Sequence, residues 1–221
     1  MFDLWGITFH WYGLLIGLGI VAAIEIAVSQ KKIAREIVEK SAWWVIIAGL
    51  IGARLYHVID FWEYYSLDPI KILLVWEGGL GIWGAIGGGM IGLLGFCHFS
   101  KLNFWKLMDV YIVGVPLAQI IGRIGNFVNK ELYGKNGEPL FAYEGFLNLI
   151  LFGVLWKMAS KKYQNGTISG VYLAGYGMIR ILLENLRPNE SIWRVGGVPM
   201  AMVMGVIGVV TGGYLIYRKQ S

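Results

Sequence analysis

Three arginines stand where an arginine is expensive. Arg54, Arg123 and Arg180 each fall inside an apolar run long enough to span a membrane. An ionisable side chain in such a run faces the interior of a helix bundle, where it pairs with an acid or marks a ligand site. Arg123 belongs to the stretch Gly122-Arg123-Ile124-Gly125-Asn126-Phe127-Val128-Asn129-Lys130-Glu131-Leu132-Tyr133-Gly134. There an apolar run from Val110 to Ile121 gives way to a polar, glycine-punctuated loop. Arg180 precedes Glu184 by four residues, so the two share one helix face. The plain reading of that pair is an ion pair that neutralises both groups and holds helices together. The chemical reading is anion binding. Asp60, Glu77, Glu131, Glu144 and Glu184 are the acids available to the three cations, and any arginine they leave unneutralised should bind an anion. In a membrane the natural anion is a phospholipid phosphate, whose oxygens the planar guanidinium fork meets with two hydrogen bonds.

The remaining residues limit the chemistry further. No serine lies in a nucleophile-elbow motif, and Cys97 falls at the opposite membrane face from the arginines. The single cysteine excludes an intrachain disulfide and a four-cysteine metal site. His10, His57 and His98 are not at metal-ligand spacing. Cations, hydrogen-bonding groups and an apolar bundle suit a reaction in which one substrate attacks another while the protein stabilises a phosphate leaving group. Gly79, Gly81 and Gly84 match a dinucleotide-binding pattern literally, but no strand precedes them and no βαβ unit surrounds them. Gly84, Gly88 and Gly92 recur every four residues. That ridge lets helix backbones approach closely, and it also leaves a groove that acyl chains could fill. His10-Trp11-Tyr12-Gly13 fits an interfacial aromatic belt.

Positioning these residues requires a bundle of helices. The chain has 221 residues, 57% hydrophobic and only 15% charged, with a mean hydropathy of +0.60; a soluble domain carries about 25% charged residues. The apolar residues come in blocks of roughly twenty, the length that crosses a bilayer. The pattern predicts an all-α polytopic membrane protein, one transmembrane domain over residues 1–221. Its seven spans are 10–28, 41–60, 72–96, 107–126, 141–159, 168–186 and 198–217. The loops 29–40, 97–106 and 157–167 and the tail from Arg218 hold most lysines and arginines. The alternate loops hold Lys71, Lys130, Lys135, Arg187 and Arg194. The positive-inside rule then places the C-terminus in the cytoplasm and the N-terminus outside, with the three arginines toward the outer half. The net charge of +5 is explained by these loops and does not point to nucleic acid. The first span lacks a basic leader and reads as a permanent helix, not a cleaved signal peptide.

The 122–134 stretch resembles the signature of the prolipoprotein diacylglyceryl transferases, and other blocks agree in order: His10 to Leu14, Gly52 to Leu55, Trp76 to Gly84, Tyr143-Glu144, and Ser169 to Gly177 continuing to Arg180 and Glu184. The resemblance covers nearly the whole chain. It implies transfer of the diacylglyceryl group of phosphatidylglycerol to the lipobox cysteine thiol of a preprolipoprotein, in the bacterial inner membrane. A thioether forms and glycerol phosphate leaves, with no metal or soluble cofactor. Arg123 and Arg180 would hold the phosphate of lipid and leaving group. Asn126, Glu131 and Gly134 would shape the signature site, Glu184 would orient Arg180, and Tyr12 would line the pocket. Arg54, Glu77 and Glu144 complete the expected substrate-binding set. The chain departs from the family pattern at three places. Trp83 stands where some members carry a histidine, which leaves Glu77, Glu131, Tyr12 and water as proton acceptors. Only Lys135 to Glu138 separate Gly134 from Pro139, where the family usually has an extended outer segment. The Gln and Ser that usually open the last span are absent near Gly197 and Met200. That short segment motivates the alternative of a non-catalytic scaffold or carrier for anionic lipid. A retinal-type receptor would need a lysine in the last span, which has none, and a transporter often shows inverted repeats, which are not found.

Overall fold

Apolar runs must satisfy their own backbone hydrogen bonds in a membrane, and the helix does this within one segment. The computed structural model describes residues 2–4, 7–9 and 11–218, with side chains from residue 13 onward. These residues form helices α1 (Trp11–Ser29), α2 (Arg35–Asp60), α3 (Trp62–Leu67), α4 (Ile82–Ser100), α5 (Phe104–Ile112), α6 (Val115–Val128), α7 (Leu140–Ala159), α8 (Thr167–Glu184) and α9 (Met200–Tyr217). Four of them, α2, α4, α7 and α9, are long and apolar enough to cross a membrane, and α5 with α6 makes a fifth crossing if the bent pair is one span.

Three expected spans differ from the sequence reading. The second begins six residues earlier than expected, at Arg35. The third begins as a helix only at Ile82, ten residues later than expected. Pro69 and the residue before it disfavour a continuous helix, and residues 69–77 form two short 3-10 turns instead. Gly78 and Gly79 then take φ of +92° and +71°, which end the turns. The fourth expected span is broken, with α5 and α6 meeting at 41°. Pro116 sits in the first turn of α6. There its missing N–H costs nothing, but it cannot prolong α5.

The chain divides into two compact units, Ile33–Leu107, and Met1–Lys32 with Met108–Ser221. In the first, α2 and α4 lie backbone to backbone. A Cβ at Gly88 would come within 3.0 Å of the Ala48 carbonyl carbon and 3.1 Å of Gly52 Cα, and one at Gly92 within 2.5 Å of the Trp44 carbonyl oxygen. The four-residue glycine ridge is therefore a packing seam. In the second unit, α8 and α9 meet the same way, with Gly177 against the Gly205 carbonyl. Residues of the α5–α6 bend, α7 and α8, including Val113, Leu151, Leu155, Ile168 and Ile179, form its apolar core. Asp109 caps α8 from outside that helix. Its carboxylate accepts the backbone N–H groups of Gly166 (2.6 Å) and Ser169 (2.8 Å) and the Ser169 hydroxyl (2.6 Å). An acid there satisfies otherwise orphaned donors and complements the helix dipole. Two hairpins were not anticipated. Strand β1 (Phe2–Leu4) pairs with β2 (Ile7–Phe9), and β3 (Arg194–Val195) with β4 (Val198–Pro199) across Gly196-Gly197. Both glycines have positive φ, as a two-residue hairpin turn requires.

Candidate functional site

The second unit brings Arg123, Glu144, Arg180 and Glu184 together from three helices. On α8, Tyr176, Arg180 and Glu184 follow each other at four-residue spacing and so lie on one face. That face meets Glu144 of α7, one turn into its helix, and Arg123 of α6. Glu144 is the hub. Its Oε1 accepts Arg123 Nη2 at 2.5 Å and the Tyr176 hydroxyl at 3.1 Å, and its Oε2 lies 3.5 Å from Arg180 Nη1. Glu184 Oε2 in turn lies 3.4 Å from Arg180 Nη2 and 3.7 Å from Arg187 Nη1. The charges alternate along the chain Arg123, Glu144, Arg180, Glu184, Arg187.

The two signs are buried differently. The side chains of Glu144 and Glu184 are each 2% exposed, while Arg123, Arg180 and Arg187 keep 22%, 19% and 22%. Carboxylates back the cluster and guanidiniums front it. Three cations against two buried acids leave one positive charge over. A buried acid stripped of its partners would be strongly destabilising, so each carboxylate is held where the arginines need it.

The signature loop completes one wall. Asn126 Oδ1 accepts Arg123 Nη1 at 2.8 Å. Its Nδ2 donates to Glu131 at 3.4 Å, as does Asn129 Nδ2. Glu131 is exposed at the rim. Gly134 is needed for close approach, because a Cβ there would sit 3.0 Å from the Leu186 carbonyl oxygen and run into the Glu138 carboxylate. Lys135 N–H donates to that same Leu186 carbonyl at 2.9 Å. The short 135–138 segment is thus tied to the turn that carries Arg187. Hydrogen bonds from its own backbone N–H and from Asn136 hold the Glu138 carboxyl below its ordinary value. Beside the cluster runs a groove of about 360 Å³ lined by Ile120, Arg123, Ile124, Phe127, Phe141, Ala142 and Gly145, apolar apart from the arginine.

Arg54 and Glu77 lie in the other unit. Arg54 is 6% exposed, and carbonyls of the 71–79 segment meet all five of its N–H groups. Nε donates to Ile72 (2.9 Å), Nη1 to Gly78 (2.6 Å) and Gly79 (3.0 Å), and Nη2 to Lys71 and Leu74 (3.1 Å). The guanidinium also stacks over Tyr65, 5.1 Å from the ring centroid. Glu77 is exposed. The Tyr12 side chain and His10 lie outside the described residues. Among the described residues no three His, Cys, Asp or Glu side chains are placed to hold a metal ion.

Sequence reasoning passed over Tyr176 and Arg187. The signal for both was helical spacing, since Tyr176 stands four residues before Arg180 and Arg187 three after Glu184. Arg187 was grouped with the loop charges because it follows the apolar run.

A family model described as prolipoprotein diacylglyceryl transferase matches residues 1–218. Among curated relatives, a Lactobacillus acidophilus protein is 32% identical over 99% of this chain and 89% of its own length. One from Acaryochloris marina is 32% identical over 96% and 87%, and one from Parasynechococcus marenigrum 33% over 100% and 94%. All three carry the name phosphatidylglycerol–prolipoprotein diacylglyceryl transferase.

Proposed function

Because the chain belongs to the prolipoprotein diacylglyceryl transferase family, we infer that the cluster Arg123–Glu144–Arg180–Glu184–Arg187 is where it carries out that family's reaction. The protein is a transferase that moves the diacylglyceryl group of phosphatidylglycerol to a prolipoprotein. The acceptor is the lipobox cysteine of the signal peptide. Helices α1, α2, α4, the α5–α6 pair, α7, α8 and α9 make seven crossings of the bacterial plasma membrane, with the N-terminus outside. The charge pattern of the loops supports that orientation.

One observation carries the reading: the cluster holds one surplus positive charge, and it fronts the site with guanidiniums. A phosphatidylglycerol phosphodiester carries one negative charge, which the surplus matches. Arg123 and Arg180 hold the non-bridging phosphate oxygens, while the apolar groove beside Arg123 takes the lipid's hydrocarbon. The thiol sulfur bonds to the terminal glyceryl carbon, the carbon–oxygen bond to phosphate breaks, and its electron pair goes to the departing glycerol phosphate. Negative charge grows on that phosphate as the bond breaks. Cations already fixed in place by buried carboxylates stabilise it without reorganising. Glu144 and Glu184 are committed to arginines. Glu131, exposed and held among the described residues by two amide contacts of 3.4 Å, takes the thiol proton in this reading.

The test is transfer from phosphatidylglycerol to a synthetic lipobox peptide by purified protein, with glycerol phosphate release measured in parallel. Wild type should produce both products and Arg180→Ala neither. Wild-type rates from folded Arg180→Ala would place the reaction elsewhere.

A further inference from the structure

One turn from the ion cluster, on the side away from the signature loop, lies a layer of polar side chains that the reaction does not use. Gln119 stands four residues before Arg123 on α6. Asn148 stands four after Glu144 on α7, and Tyr172 four before Tyr176 on α8. Each therefore lies on the same helix face as a member of the cluster, and α7 runs opposite to α6 and α8, so all three step in the same direction. Gln119 Nε2 donates to the Tyr172 hydroxyl at 3.0 Å, which links α6 to α8 within the layer. Tyr172 and Tyr176 stack with ring centroids 5.7 Å apart and planes 3° from parallel.

The hydrogen bonds of this layer do not close. Asn148 is 0% exposed, yet among the described residues neither its Nδ2 nor its Oδ1 meets a partner. Gln119 Oε1 is likewise buried and unmet among the described residues. Tyr172 accepts from Gln119, so its own hydroxyl proton is directed elsewhere. Buried polar groups in native proteins are satisfied by protein or by ordered water. A buried water is held where two to four polar partners surround it. A leucine would fill the volume of Asn148 without that demand.

We propose that Asn148, Gln119 and Tyr172 bind a buried water molecule that continues the hydrogen-bond network of Arg123, Glu144 and Tyr176 by one helical turn. Water is the ligand the groups call for. Asn148 offers two donors and an acceptor, Gln119 an acceptor and Tyr172 a donor, a mixed set that suits water better than an ion of either sign. The water backs the charged site with a polar layer where hydrocarbon would otherwise lie. The proposal rests on the unmet groups and not on the reaction assigned to the cluster.

A double-mutant cycle on thermal unfolding in detergent tests it, using Asn148→Leu, Gln119→Leu and the double variant. Replacing a truly unpartnered buried amide by an apolar group of similar shape is neutral or stabilising. Removing one wall of a water site strands the others. Asn148→Leu should therefore lower the transition temperature by several degrees, and the double variant should lose clearly less than the two single losses combined. An unchanged or raised transition in Asn148→Leu, or additive losses, overturns the proposal. Where Asn148→Leu does not yield folded protein, a wild-type density map that resolves ordered water decides. A peak within hydrogen-bond distance of Asn148 and Gln119 supports the site; a direct bond between the two amides with no peak overturns it.

Discussion

Arg54 and Arg123 are the same residue type in similar apolar helices, and the protein compensates their charges in opposite ways. Around Arg54 the compensation is dipolar. Five carbonyls of the 71–79 segment take its five N–H groups, and the segment folds around the cation as around a peg. Around Arg123 the compensation is ionic. Glu144 neutralises charge with charge, yet the guanidinium remains 22% exposed. Among the described residues the five donors of Arg54 are all met by backbone. Arg123 is anchored by a carboxylate behind it and keeps an exposed face, which on the proposed function meets the lipid phosphate. Cost of burial is common to both, so it cannot tell them apart. The nature of the partner does.

Arg123→Ala should give the largest effect. Losing one preorganised donor at a developing negative charge slows a reaction by about 100- to 1,000-fold. The lipobox-peptide assay should show that loss while the protein still inserts. Wild-type transfer by purified Arg123→Ala would erase the contrast with Arg54.

Glu144→Gln comes next. It removes the charge that joins Arg123 to Arg180 and leaves two surplus positive charges. Breaking a buried pair costs about 3–5 kcal/mol. The glutamine retains some hydrogen bonding, so the lower end is expected, seen as a reduced unfolding temperature with impaired transfer. An unchanged unfolding temperature would mean the hub is dispensable.

Arg54→Lys sharpens the comparison because it keeps the charge. A lysine offers three donors from a point charge in place of a five-donor fork. If the carbonyl cradle is what matters, Arg54→Lys and Arg54→Ala should be similarly destabilised, by about 2 kcal/mol given the net worth of charge-assisted hydrogen bonds. Limited proteolysis at residues 68–81 should then accelerate in both. Full protection in Arg54→Lys would show that charge alone suffices there.

Ser169→Ala should give the smallest effect. It deletes one of three hydrogen bonds to Asp109 and leaves both backbone N–H donors. A loss of about 1 kcal/mol is expected, with transfer unchanged. A large fall in transfer would mean that the α8 cap tunes the site as well as the helix.

Much of this was legible in the residue order. The helices α7, α8 and α9 begin and end within two residues of the expected spans, because apolar runs bounded by polar loops leave little choice. Glu144 was legible as an acid near the arginines, and the Gly84, Gly88, Gly92 ridge as a close-packing surface. The late start of α4 and the break before α6 were harder to see. Hydropathy reads the apolar 72–81 segment and the Gly114-Val115-Pro116 bend as span, while backbone rules at Pro69, Gly78, Gly79 and Pro116 end the helices. Arg187 was missed because a residue after an apolar run counts as loop charge until the chain turns back on itself.

The sequence by itself determined the family, the helical character, and the chemistry available: arginines and acids inside an apolar chain that offers no obvious nucleophile. Those follow from residue types and local spacing. Only the tertiary structure decided which cation meets which partner. That Glu144 serves two arginines and a tyrosine, that Arg54 is met by backbone, and that Asn148 is buried with its amide unmet among the described residues all depend on which helix faces lie together. Local spacing places a side chain on a face, and the packing of three helices decides what that face meets.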